Sequence, residues 1–426
     1  MIEKLHQLKK LALHLSIFSM GAFSLLTNSI SVGPVIILVT SAIFFLNHFS
    51  IRLEQDDKKF ISVLLLYFIL GVFDTILRWQ NISNMDLFVR YAVAAWFIYY
   101  LAQQQIQTWV LWSGYAIGAI SVGIYAIYAK FYLHQVRVDT EALNAIRFGN
   151  YSLMLGFFCI AGIFWAKNLK WKRTSVVLML LAAVGGILAS LLSGTRSGWI
   201  SYPMIFAMLI LFFYDHVQKK YLILASLSGL ILLATLVALP QTNVQNRIKE
   251  AVSDIEKYTQ GNSSSSVGYR FDMWRSGYAA FLEKPIFGFG ETAFRPFQED
   301  RVKFDGLNPG ILEHPHLHNQ YIEELAMRGI IGLFIFLVFL IIPLRLFLKR
   351  IHNSDDNIRA LALAGTLSII CMIDFCLTQA MLRVTSGVMF FVFNLVFIWA
   401  LMRQEERKQE KTTYEEPSQL SLANSI

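Results

Sequence analysis

Apolar residues in this chain come mostly in runs of about twenty, the length an α-helix needs to cross the hydrocarbon layer of a bilayer. Windows of that length predict spans near 11–27, 31–50, 60–77, 86–102, 108–128, 148–166, 174–192, 199–215, 221–239, 329–348, 358–379 and 384–402. The stretch 78–110 is the least regular, because Arg90 and the run Gln103, Gln104, Gln105 interrupt it. Polar residues gather instead between the ninth and tenth spans, from Pro240 to Met327, and again beyond Met402. The expected organisation is therefore an N-terminal bundle over 1–239, a large loop over 240–327, C-terminal helices over 328–402 and a charged, disordered tail over 403–426. Inside the loop, Val244, Ile248, Val252 and Ile255 recur at helical spacing, as in a helix lying on a membrane or on other spans. GNSSSSVG reads as a joint, and Arg270, Trp274, Gly277 and Phe281 share one face of a second helix that PIFGFG ends in a turn.

Composition agrees with this pattern. A chain with 55% hydrophobic and 15% charged residues cannot clothe a water-soluble surface. The fold class is all-α and polytopic, with about twelve transmembrane helices. Lysine and arginine set its orientation. Lys4, Lys9 and Lys10, Lys58 and Lys59, Lys167 to Arg173, Lys219 and Lys220, and Arg345 to Arg350 fall on the side that also holds both termini. Both termini are thus expected in the cytoplasm and segment 240–327 outside. The formal charge of +8 is mostly this topology and implies no nucleic-acid partner. No cleavable signal peptide is evident, and no phosphate-cradling P-loop for ATP. Cys159, Cys371 and Cys376 lie within spans, which suggests neither disulfides nor a thiolate metal site.

Candidate chemistry sits where the loop re-enters the membrane, in HPHLHNQYIEELAMRGIIG. A helix beginning just after Pro315 puts His318, Ile322, Leu325, Gly329 and Gly332 on one face. Gly329 and Gly332 then let another span's backbone approach, leaving a crevice beneath the imidazole. A histidine near its ordinary pKa of about 6.5 can accept a proton at neutral pH, as a general base must. An alternative is zinc held by His314, His316 and His318 beside Glu313 on an extended strand; Pro315 and the helical register after His318 argue against it. His314 and His316 otherwise read as loop residues.

The spacing His318, Asn319, nine residues, Gly329, two residues, Gly332 resembles the motif H-[NSQ]-x9-G-x-x-G of bacterial O-antigen ligases of the Wzy/WaaL superfamily. LSGTRSGW around Arg196, and YRFDMW with PIFGFG around Arg270, are similar to that family too. The likeness spans roughly 185–345. It implies a GT-C-like glycosyltransferase of the bacterial inner membrane, metal-independent and without cofactor, with its site on the periplasmic face. The donor would be a glycan on undecaprenyl pyrophosphate and the acceptor a sugar hydroxyl of lipid A-core. Arginine offers phosphate a two-pronged hydrogen bond without losing its proton, so Arg196 and Arg270 are the candidate pyrophosphate ligands. His318 would take the acceptor's proton, giving inversion, with Asn319 orienting the helix start or a sugar hydroxyl and Gly329 and Gly332 supporting.

Plainer readings stand beside each of these. Arg196 can snorkel to lipid headgroups, Arg270 can pair with Asp272 or Glu283, and His318 can simply cap a helix. Arg137 and Arg147 are further basic residues at the outer ends of the fifth and sixth spans. The rival functions are an O-antigen polymerase of the same superfamily and a lipid-linked oligosaccharide flippase. A flippase would want charged residues at mid-membrane.

Overall fold

The computed structural model describes residues 2–43, 53–78, 82–195, 205, 212, 219–220, 227 and 244–423. Among them all regular structure is helical: α1 (Ile2–Ala22), α2 (Val32–Ile43), α3 (Gln55–Leu77), α4 (Asp86–Leu101), α5 (Thr108–Phe131), α6 (Ala145–Ala161), α7 (Lys172–Leu192), α8 (Val244–Thr259), α9 (Ser266–Glu283), α10 (Gly290–Asp305), α11 (Gln320–Leu348), α12 (Asp356–Thr378) and α13 (Thr385–Ala423). The helices α3, α5, α7, α11 and α12, α6 with its continuation to Ala166, and α13 as far as Lys411 are long and apolar enough to cross a membrane. The protein is a multi-pass helical membrane protein. The spans expected at 199–215 and 221–239 lie outside the described residues apart from isolated positions. In the irregular stretch, the awkward Arg90 pairs with Asp86 one turn earlier, at the start of α4.

Lipid offers no hydrophobic drive between helices, so close packing must hold them. The Gly185–Gly186 pair shows how. A Cβ on Gly185 would meet the Ala119 carbonyl of α5 at 2.7 Å, and one on Gly186 would meet the Ser152 carbonyl of α6 at 2.5 Å. Leu178, Leu181 and Val184 of α7 face outward and exposed, as do Ile69 and Phe73 of α3, which is the surface a bilayer would cover. At the far end of α11, Arg350 bonds Asp56 at 2.9 Å and Glu406 at 2.7 Å, while Asp57 accepts from Trp399 at 2.9 Å and Arg403 at 3.2 Å. These ties correct the tail boundary: α13 runs past 403, and Arg403 and Gln404 are buried in the bundle.

The long loop has a core of its own. Met273 and Ala280 of α9, Phe294 and Phe297 of α10, Ile311, Leu317 and the first turns of α11 bury one another apart from the main bundle. Both predicted loop helices form, as α8 and α9, and Ser265 caps α9 by accepting from Gly268 N–H at 3.1 Å.

Candidate active site

Helix α11 begins later than the sequence suggested. Its N-cap is Asn319, whose Oδ1 accepts from Ile322 N–H at 3.1 Å and whose Nδ2 donates to the Leu377 carbonyl at 3.0 Å. Asparagine is among the best N-caps, so the helix starts at Gln320 and not just after Pro315. Both polar ends of Asn319 are spent on protein. His318 therefore precedes the helix, in a left-handed conformation with φ of 52°. That turn breaks any extended strand through the three histidines, and a residue other than glycine holds it only where its surroundings impose it.

Several contacts impose it. The buried Leu317 donates its N–H to Glu323 Oε2 at 2.7 Å and accepts from Trp274 Nε1 at 3.0 Å, while its side chain packs into the gap left by Gly277 of α9. His318 N–H reaches His316 Nδ1 at 3.3 Å, and His318 Nδ1 lies 3.0 Å from Gln379 Oε1. An amide oxygen can only accept, so this contact keeps the proton on Nδ1 and leaves the lone pair on Nε2. Among the described residues Gln379 Nε2 has no hydrogen-bond partner, although the residue is buried.

Burial pushes His318 down to about 3, with His316, Arg270 and His314 lowering it further and the Gln379 hydrogen bond opposing them. Burial likewise pushes His316 down to about 4, aided by Arg383, His314 and Arg147. The ordinary value near 6.5 expected for His318 is thus corrected: burial holds the imidazole neutral across the neutral range. An anion bound beside it would raise it again.

The glycines also differ from expectation. Gly329 breaks α11 with φ of 62° and ψ of −156°, a region open essentially to glycine alone. A Cβ there would meet the Ile286 carbonyl carbon and oxygen at 2.4 Å. The backbone that approaches is therefore the PIFGFG turn and not another span. Ile330 N–H bonds the Pro285 carbonyl at 2.8 Å, and Phe289 N–H bonds that of Ala326 at 2.9 Å. At Gly332 the neighbours are Arg328 Cβ and Glu324 of the same kinked helix. The break separates His318 from the glycine face it was expected to share.

Beneath this kink lies a web of charges that sequence reasoning missed. Arg328 bonds Glu324 at 2.8 Å and lies 3.6 Å from Asp74, which also takes Arg78 at 2.6 Å. Tyr67 donates to Glu324 at 2.7 Å. Arg383, between α12 and α13, pairs with Glu323 at 3.0 Å and with Glu291 at the start of α10. Buried ions of this kind are costly to break singly, so the web clamps the loop onto the bundle.

Of the candidate arginines, Arg270 is half-buried on α9 and near enough to depress the proton affinity of His318. Asp272, weighed as its partner, is buried and accepts from Tyr258 Oη at 3.3 Å and from Asn308 N–H at 3.0 Å. Arg147 donates to Ser386 at 3.0 Å, and Arg137 lies in the loop between α5 and α6. Arg196 lies outside the described residues; the chain is described as far as Thr195, which bonds the Ala145 carbonyl at 2.8 Å.

Residues 181–337, which hold the histidine loop, Arg270 and the kink, match the family model described as O-antigen ligase. An O-antigen ligase of Escherichia coli strain K12 is 25% identical over 237 residues, 53% of this chain and 52% of that protein. Over this segment the chain is similar to the O-antigen ligase superfamily. An uncharacterized protein of Haemophilus influenzae strain Rd is similar over a greater length, 26% identical across 93% of this chain and 100% of its own. The family-model match falls on the part of the chain that carries the site just described. His314, His316 and His318 themselves meet edge to face, with ring centroids 5.2 Å and 4.3 Å from His318. Among the described residues no three His, Cys, Asp or Glu side chains converge to hold a metal ion.

Beside the loop is a cavity of about 380 Å³, walled by His314, His316, Arg383, Glu291, Arg295 and Phe294 among others. His314 and His316, read from sequence as plain loop residues, therefore line this cavity.

Proposed function

We propose that this protein is an O-antigen ligase, which transfers a glycan from undecaprenyl pyrophosphate to a sugar hydroxyl of lipid A-core at the periplasmic face of the inner membrane. In this reading segment 240–327 is periplasmic and both termini are cytoplasmic. The observation that carries it is a neutral imidazole, its lone pair on Nε2, with the half-buried Arg270 near enough to act on it electrostatically. His318 Nε2 removes the acceptor proton as the hydroxyl oxygen attacks the anomeric carbon. The bond from that carbon to the pyrophosphate oxygen breaks on the opposite face, giving inversion. Arg270 and Arg196 hold the departing phosphate oxygens, whose charge rises as the bond lengthens. The donor also tunes the base, because its negative charge raises the proton affinity of His318 at the moment a proton must be taken. No metal is required in this scheme.

A strain lacking the protein tests it. Lipopolysaccharide without long-chain caps, together with accumulated polymer on the carrier, is the expected outcome. Caps of a single repeat would show that the chain acts as a polymerase instead, and normal lipopolysaccharide would remove both readings.

A further inference from the structure

The cavity beside His314 and His316 differs in chemistry from the face where Arg270 acts. Neither Arg270 nor His318 lines it. Its charges balance: Arg295 and Arg383 stand against Glu291 and Glu313. Arg383 is moreover already engaged by two carboxylates, Glu291 and Glu323. A pyrophosphate entering here would meet two acids and no net positive field. An uncharged group rich in hydroxyls would fare better. Carboxylates would accept from it, guanidinium groups would donate to it, and Phe294, Leu312 and Met327 form an apolar wall for a ring face. His316 adds a donor, since its Nδ1 accepts from His318 N–H and its proton then sits on Nε2. The volume lies within the range of about 300–1,000 Å³ usual for small-molecule sites.

Resting on the transfer reading above, we propose that this cavity seats the acceptor's sugar, apart from the donor pyrophosphate, with Arg295 and Glu313 as specificity-determining residues. The two reach the cavity from different elements, Arg295 from α10 and Glu313 from the short turn Pro309–Glu313. Loss of either side chain therefore tests the same space through independent local structure. The histidine loop stands between cavity and base, so the sugar seated here is a neighbour, within the acceptor oligosaccharide, of the one whose hydroxyl meets His318.

The test is saturation-transfer NMR on detergent-solubilised full-length protein with deacylated core oligosaccharide as the probe. Binding to the wild type is expected, weakened about 10-fold by Arg295→Ala and again by Glu313→Ala, the loss of one hydrogen bond to a charged group in each case. Inorganic pyrophosphate should not displace the probe. Displacement by pyrophosphate, or unchanged affinity in both variants, overturns the assignment. Because binding is read without turnover, a protein that binds the oligosaccharide but transfers nothing contradicts the ligase reading and leaves the cavity assignment standing. Transfer in which the variants raise only the donor KM does the reverse.

Discussion

Replacing Gln379 isolates the device that prepares His318. Gln379 Oε1 is the hydrogen-bond partner of Nδ1, at 3.0 Å, in a site where both residues are largely withdrawn from solvent. Gln379→Leu removes that acceptor at similar volume. A neutral hydrogen bond contributes about 0.5–1.5 kcal/mol, so kcat/KM for transfer should fall roughly 2- to 13-fold, more where the wrong tautomer predominates. The pH profile distinguishes this from loose packing. The hydrogen bond supports the protonated ring, so its loss moves the acid limb of kcat/KM to still lower pH. Gln379→Glu sets a carboxylate there and moves the limb up towards neutrality. In the wild type the limb of kcat/KM, which reports free enzyme, should lie well below 6.5, and that of kcat should lie higher because the bound donor is anionic. Transfer would be assayed with purified protein from about pH 2 to 8, so that a limb near the value of His318 falls inside the range. An unaltered rate in the Leu variant together with an unmoved limb in the Glu variant would refute the reasoning.

Other expectations follow from the same geometry. Gly329→Ala adds a Cβ 2.4 Å from the Ile286 backbone in a conformation that costs about 1–3 kcal/mol for other residues, so thermal melting should drop and transfer with it; an unchanged melting curve contradicts the kink. Arg270→Lys and Arg196→Lys should each lose most transfer because a point charge cannot reproduce the bidentate fork, and full activity in both would return them to a structural role. A cysteine at the exposed Ser264 should label with an impermeant thiol reagent in cells whose outer membrane is permeabilised, whereas labelling only after lysis reverses the topology; Gln298 is too buried to serve.

The bundle was legible because lipid imposes a length of about 30 Å on each apolar run: among the described residues seven helices at predicted spans are long and apolar enough to cross, while α1, α2 and α4, also expected as spans, are not among them. The geometry of His318 was not legible: it precedes the helix that it was expected to join. The Asn319 cap was available as a signal, since asparagine followed by a periodic apolar run marks a helix start, and it gave way to Pro315 as the supposed boundary. Gly329 was ambiguous in principle, because a glycine in a helical pattern serves either close approach or a break. Nothing local joins Gln379 to His318 or Arg328 to Asp74. Those partners are 61 and 254 residues apart in sequence and meet only once the helices pack.

The measurement nearest the central claim is transfer by His318→Ala. The account predicts a folded protein that still binds donor but transfers glycan to lipid A-core roughly 10²–10⁴-fold more slowly, as loss of a general base does, with wild-type activity undiminished by EDTA. Full transfer by His318→Ala, or wild-type transfer abolished by chelation and restored by zinc, would contradict it.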